Sequence, residues 1–311
     1  MDEKQYLKNL SVPQGPVDVV LDTDAYNEVD DQYAIAYLLR SGDKLRLQAL
    51  CAAPFSKDWV CGPKEGMERS YQEIGNILKL VGREELQSIV YRGSERFLPD
   101  EQTPVVSPAA ELMAKLADSY TPEKPLYIIA IGAITNVASA ILLNPRIKEN
   151  CVVVWLGGHS VHIPKAGTEF NMRQDIAAAR VVFDSGVPLV LLPCRGSVDR
   201  MSTTKHELAY WLKGKNALCD YLYEHTVRTA ESYAAGKPWS RVIWDTAAIG
   251  WLLNEQERFM CHKLLPCPVP EYDQTYTCDP NRRLIRYVYW VNRDALFEDI
   301  FRKLPTLEEV K

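Results

Sequence analysis

Six short apolar runs, with stretches of helical period between them, restrict this chain more than any other feature. The runs are Asp18–Leu21, Leu45–Ala52, Gln87–Tyr91, Leu126–Ile131, Cys151–Leu156 and Pro188–Leu192. The helical patterns between and after them are Asp30–Arg40, Glu65–Val81, Pro108–Ser119, Thr135–Leu143 and Asp175–Ser185. A strand that is apolar throughout, rather than at every second residue, needs cover on both faces, as in a parallel sheet. The alternation therefore predicts right-handed βαβ units and an α/β fold: an open, mostly parallel twisted sheet flanked by helices, with a Rossmann-like core. Beyond residue 203 helical stretches dominate (Thr204–Lys213, Ala217–Ala235, Asp245–Asn254), then a strand-like Leu284–Val291 and a closing helix, Arg293–Lys303. No repeat or linker divides the chain, so residues 1–311 are read as one α/β domain with a helical and hairpin-bearing C-terminal part.

Composition narrows the partners. Thirty-six basic side chains stand against 41 acidic ones, a net charge of −5, and no basic block is present. Nucleic acid and anionic membrane surfaces are poor partners for such a chain. The longest apolar runs fall well short of the roughly 20 residues of a membrane helix, and the opening MDEKQYLKNL lacks a signal-peptide core. These features read as cytoplasmic. Eight cysteines include no CxxC, and the late group Cys261, His262, Cys267 and Cys278 does not match zinc-ligand spacing, so free thiols are the expectation. The His159/His162 pair is a weak metal signal on a loop.

In open α/β sheets ligands bind beyond the carboxyl ends of the strands, so the polar residues there matter most. After the first strand come Asp22, Asp24, Asn27, Glu28, Asp30 and Asp31; after the fifth come Gly157, Gly158 and His159, leading to Glu169 and Asn171. Asp30 or Asp31 alone reads as a first-turn helix residue. That reading leaves Asp22 and Asp24 unexplained. Two like charges about 4 Å apart repel by ~1 kcal/mol in water and ~4 kcal/mol at an effective dielectric near 20. Several carboxylates at one strand end call for a neutralising hard cation with oxygen ligands, Ca²⁺ or Mg²⁺ rather than zinc. Such a cation also acidifies a bound water, which lets one carboxylate act as general base.

Two enzyme classes use such a strand end. A HAD-type phosphatase opens with DxDx(T/V), but Tyr26 stands at the last position and no downstream GDxxxD follows. The second match runs nearly end to end. Asp22-Thr23-Asp24-Ala25-Tyr26-Asn27-Glu28-Val29-Asp30-Asp31 parallels a DxDPGxDD opening, and Ile131-Gly132-Ala133-Ile134-Thr135-Asn136 parallels TGPLTN. Gly157-Gly158, then Glu169-Phe170-Asn171 with Asp175, and finally Trp244-Asp245 follow in order. On these motifs the chain resembles the nucleoside hydrolase family, the inosine–uridine-preferring ribonucleoside hydrolases.

The resemblance implies a Ca²⁺-dependent hydrolase that cleaves the N-glycosidic bond of ribonucleosides, through a Ca²⁺-bound water. It implies Asp24 as metal ligand and base, with Asp31, Asp245 and the carbonyl of Ile131 as further ligands. Asp30, Glu169 and Asn171 would hold ribose hydroxyls, and Asp22 would support the ligands from behind. A homodimer or homotetramer is the family's usual assembly. An oxocarbenium-like transition state gains from negative charge beneath the sugar, consistent with the acidic motif.

The sequence departs from the family pattern in three places. The opening loop is two residues longer and lacks Pro-Gly, which lets Asn27 or Glu28 intrude. The asparagines expected after the second strand and before EFN are absent; Ala53-Pro54-Phe55-Ser56 and Ile163-Pro164-Lys165-Ala166 stand there. Trp244 occupies the place of a histidine that protonates the leaving base. Trp244 is therefore either a stacking surface for the base or plain packing; with Tyr26 and Phe55 it leans the reading toward purines. His225 and His262 are the histidines that folding can bring close. Thr135 and Asn136 are expected to cap the helix that follows. A ribose- or nucleoside-binding protein of the same fold, without efficient catalysis, is the alternative.

Overall fold

The computed structural model describes residues 1–306. Its centre is an eight-stranded sheet. The strands are β1 (Val17–Thr23), β2 (Leu45–Ala52), β3 (Val90–Arg92), β4 (Leu126–Ala130), β5 (Cys151–Leu156), β6 (Leu189–Leu192), β7 (Met260–Pro266) and β8 (Leu284–Val291). Their order is β3-β2-β1-β4-β5-β6-β8-β7. All neighbours are parallel except the β8–β7 pair, which is antiparallel.

Side-chain parity explains why the strands are apolar throughout. Val19 and Leu21 enter a core on one face, with Tyr33, Ile35, Ile74, Ile77, Trp251 and Phe297 from four helices. Val20, one step out of phase, enters the other core with Ala109, Met113, Val137, Ala138 and Val182. Helices Asp30–Leu39, Pro63–Val81, Thr246–Leu252 and Arg293–Lys303 cover the first face. Helices Pro108–Leu116, Thr135–Leu143 and Ile176–Ser185 cover the second.

The strand order reverses between β1 and β4, which lie side by side with Asp22 opposite Ala130. A crevice opens there beyond the carboxyl ends. Asp24 follows one of the two strands and Ile131 the other.

The expected elements are present, with three differences. Gln87–Ile89 lie in a 3₁₀ turn, Glu84–Ile89, and the third strand shortens to Val90–Arg92, because Glu84, Glu85, Gln87 and Ser88 supply no apolar face. The strand Met260–Pro266 carries the partner edge of the hairpin with β8; Cys261, His262 and Lys263 interrupt its apolar pattern. Asp175 lies outside its helix as the N-cap, accepting the Ala178 amide at 2.9 Å.

Gly93, just past β3, is packed so closely that a Cβ there would overlap the carbonyl oxygen of Ala52 and the side-chain amide of Asn136. A Cβ on Gly42 would meet nothing nearer than the Leu39 carbonyl oxygen at 3.9 Å. Gly93→Ala should therefore cost about 1–3 kcal/mol, the usual range for overpacking, while Gly42→Ala should stay within about 0.5 kcal/mol, as for ordinary surface changes. Urea midpoints at constant m check this pair; equal midpoints would contradict the packing argument.

Candidate active site

Each wall of the crevice is supplied by a strand end. Asp24 follows β1; Asp30 and Asp31 open the next helix; Ile131 follows β4; Gly157-Gly158-His159 follow β5; Cys194 and Arg195 follow β6. Trp244 and Asp245 come from the far end of the chain, where Asp245 precedes the helix Thr246–Leu252. All of these but Gly157 and Gly158 line a cavity of about 270 Å³, with Glu169, Asn171 and Glu28 also at its wall. A larger groove of about 900 Å³ lies at the opposite ends of β1 and β4. Its Asp18 is already occupied by Arg46 at 2.6 Å and Tyr120 at 3.1 Å, so it offers no comparable chemistry.

The floor is acidic and nearly dry. Asp24, Asp30, Asp31 and Asp245 are each at most 4% exposed. Oxygens of Asp30, Asp31 and Asp245 lie within 4.8 Å of one another, the one group of at least three potential metal-ligating side chains among the described residues. Neither oxygen of Asp24 has a hydrogen-bond partner. Gly132 makes room for it: a Cβ at that position would sit 3.1 Å from the Asp24 carboxyl carbon. Asp31 accepts the Thr23 hydroxyl at 2.5 Å. Neither Asp30 nor Asp31 caps its helix; the N-cap is Val29, without a side-chain bond.

Burial, then Asp31 and Asp30, holds the Asp24 carboxyl well above the ordinary range. Burial, then Asp30 and Asp31, does the same to Asp245. Burial, then Glu28, raises Asp30. Burial, then Asp30, lifts Asp31 to about 7. Behind them Asp22, fully buried, is pushed up to about 7 by burial against one hydrogen bond from Asn136. An all-oxygen donor set whose members resist ionisation together fits a hard divalent cation.

The shell is tied together by Asn136 and Asp175. Asn136 donates to Asp22 at 2.8 Å and to the Ala52 carbonyl at 3.2 Å, and accepts from the Ser94 amide and hydroxyl. Thr135 donates to Asp175 at 2.7 Å. The expected helix-capping role of Thr135 and Asn136 is thus corrected: the N-cap is Ile134 and has no side-chain bond. Their groups cross-link the strand ends instead.

Asn171 donates its amide to the carbonyls of Ile131 and Leu156, both at 3.0 Å. Trp155 donates to the Gly132 carbonyl at 3.1 Å, fixing the same turn from below. Glu169 accepts three main-chain amides, from Gly158 at 2.8 Å and from Asn171 and Met172 at 2.9 Å. Burial nevertheless lifts its carboxyl to about 7. The two-residue extension of the opening loop brings Glu28 to the cavity wall, where Arg241 and Lys57 pair with it, Lys57 at 3.1 Å. Arg241 also lies over the Trp244 ring at 5.3 Å, and the Trp244 indole N–H has no partner.

Three aromatic and histidine expectations change. Phe55 is fully buried against Trp59, and Tyr26 sits outside the cavity on Trp59 and Arg69. Of the aromatic residues behind the purine lean, only Trp244 lines the site. His225 stacks on Tyr221 in a neighbouring groove, and His262 packs on Trp251. The histidine that reaches the cavity is His159, together with Arg173, Arg195 and Cys194, none singled out by sequence as site residues. His159 stood next to the Gly157-Gly158 turn, and that adjacency was the available signal.

Each raised carboxyl is protonated in the fold where it would be ionised in the unfolded chain. For Asp22, Asp31 and Glu169 that stabilising contribution is therefore complete below about pH 4 and fades as pH rises through about 7. A divalent cation competes with those protons. Added calcium or magnesium should raise Tm more at pH 8 than at pH 5, read by differential scanning fluorimetry; equal shifts, or none, would contradict the cluster's electrostatics.

The sequence profile of the family described as inosine-uridine preferring nucleoside hydrolase matches residues 19–283. A Dictyostelium discoideum protein named "Probable ribonucleoside hydrolase" is 33% identical over 98 residues, 31% of this chain and 28% of its own. The Escherichia coli pyrimidine-specific ribonucleoside hydrolase RihB is 31% identical over 135 residues, 41% of either chain. These alignments thus span well under two thirds of the relatives' length. The purine-preferring ribonucleoside hydrolase from Gardnerella vaginalis superposes with a TM-score of 0.71 at 18% identity, covering 94% of this chain and 100% of that one. The family match over residues 19–283 displaces the phosphatase reading of Asp22 and Asp24. The chain belongs to the inosine-uridine preferring nucleoside hydrolase family.

Proposed function

We propose that this protein hydrolyses the N-glycosidic bond of ribonucleosides to free base and ribose, with Ca²⁺ as its cofactor. The observation that carries the reading is the buried floor, in which Asp24 keeps both oxygens unpartnered beside Asp30, Asp31 and Asp245. Asp24, Asp31, Asp245 and the Ile131 carbonyl are the proposed ligands. The Ile131 oxygen has one lone pair left after its bond from Asn171. A divalent cation held by these groups would neutralise the cluster and supply Lewis acidity toward the ribose diol and a water.

Asp24 takes the proton of the attacking water while the C1′–N electron pair leaves with the base. Asp30 and the spare acceptor sites of Glu169 and Asn171 hold ribose hydroxyls. The carboxylates beneath C1′ stabilise its developing positive charge. Trp244 has a donor N–H and an apolar face but no proton to exchange, so it orients the base by stacking and leaves final protonation to solvent. Purine preference rests on this one ring. The chain is proposed to act as one cytoplasmic α/β domain, assembled as a homodimer or homotetramer by analogy with its family.

Reducing-sugar release from a panel of purine and pyrimidine ribonucleosides, with and without calcium, tests the function and ranks the bases. Asp24→Asn should lower turnover by roughly 10²–10⁴-fold, the usual share of a general base, with the melting curve still cooperative. Wild-type-like turnover in that variant would remove Asp24 from the role. Tight riboside binding by the wild type without ribose release would favour the binding-protein alternative.

A further inference from the structure

The acidic floor contrasts with the charge at the cavity's other wall. Arg173 and Arg195 both line the cavity and are exposed, and neither forms an ion pair among the described residues. The other cations near the site, Lys57 and Arg241, are both paired with Glu28. Arg173 lies over the Phe170 ring at 5.2 Å, and its charge also acts on the Glu169 carboxyl. A built donor lines the same cavity. His159 is 93% buried by its neighbours, at 7% exposure. Its Nδ1 accepts the Arg195 main-chain amide at 3.3 Å, which leaves the proton on Nε2. That Nε2–H makes no hydrogen bond with any described residue, although the ring lines the cavity.

The turn that carries His159 is held on every side. Its own amide donates to Ala166 at 2.7 Å, Ser160 donates to the Arg195 carbonyl at 3.0 Å, and Cys194 donates to Gly158 at 2.8 Å. Of the acids at this loop, Asp199 is engaged by the Gly196 amide at 3.2 Å and Glu169 by the Gly158 amide at 2.8 Å. A neutral sugar gains little from two guanidinium groups outside any ion pair and a fixed, unpartnered imidazole N–H. An anion gains from all three.

We infer that His159, Arg173 and Arg195 form an anion subsite and that the substrate is a phosphorylated riboside, its phosphate at the 5′ position. The 2′ and 3′ hydroxyls are committed to the acidic floor, which leaves the 5′ end to carry the charge. This rests on the ribohydrolase reading above. The reaction is unchanged: water adds at C1′, the C1′–N bond breaks with its electron pair going to the base, and the phosphate ester stays intact. The products are free base and ribose 5-phosphate.

The test compares kcat/KM of the calcium-loaded protein for a nucleoside and its 5′-monophosphate, with calcium in excess. The phosphorylated substrate should be preferred about tenfold or more, the gain expected of one charge-assisted hydrogen bond. The double substitution Arg173→Met, Arg195→Met should collapse that ratio toward one, and His159→Phe should lower it. Cleavage of the nucleoside without any preference for its phosphate overturns the subsite and leaves the ribohydrolase reading standing. If neither substrate is cleaved, calorimetric binding of ribose 5-phosphate against ribose decides: tenfold tighter binding that the arginine substitutions remove supports the subsite, and equal binding overturns it.

Discussion

Mutual repulsion among buried carboxylates is the constraint that the rest of the site depends on. Asp24, Asp30, Asp31 and Asp245 are taken out of water by two cores and by each other, and none of their pairings inside the protein supplies a positive charge. The cations nearest by sequence and space are held off by Glu28, which binds Lys57 and Arg241 at the wall. Negative charge is thus concentrated where a cation and a sugar cation-like transition state both benefit, and Lys57 and Arg241 act on Asp24 and Asp30 without forming an ion pair with either. Removing one partner from such a cluster changes the protonation of the others, so these residues act as a unit.

The supporting shell shows how the fold bears that cost. Asn136 reaches from the helix after β4 to Asp22 on β1, to Ala52 on β2 and to Ser94 beyond β3. Asp175 joins Thr135 to the Leu98 amide and to its own helix. Asn171 and Trp155 fix the turn that presents the Ile131 carbonyl. Each bond spans separate elements, so the crevice is positioned by the sheet order rather than by any one loop.

Much of the fold was legible because parity and burial write themselves into sequence. A strand such as Cys151–Leu156, covered on both faces, has no polar position to spare and is unmistakable. Met260–Pro266 was not legible: an edge strand with one exposed flank tolerates His262 and Lys263, which erase the pattern. The acidic floor was legible because four carboxylates near strand ends have no structural use. The wall formed by His159, Arg173 and Arg195 was not, since arginines near a motif look alike until folding shows which ones form no ion pair. Phe55 and Tyr26 misled for the same reason, as an aromatic residue near a motif can turn either into a core or onto a surface.

On the proposed reading, acids from residues 24–31 and from residue 245 meet around one dication. Equilibrium dialysis of the full chain against calcium, followed by elemental analysis, should find one tightly held ion per chain, lost when Asp31 and Asp245 are both changed to asparagine. A wild-type chain that retains no ion, or a double variant that retains it equally well, would rule out that meeting of acids.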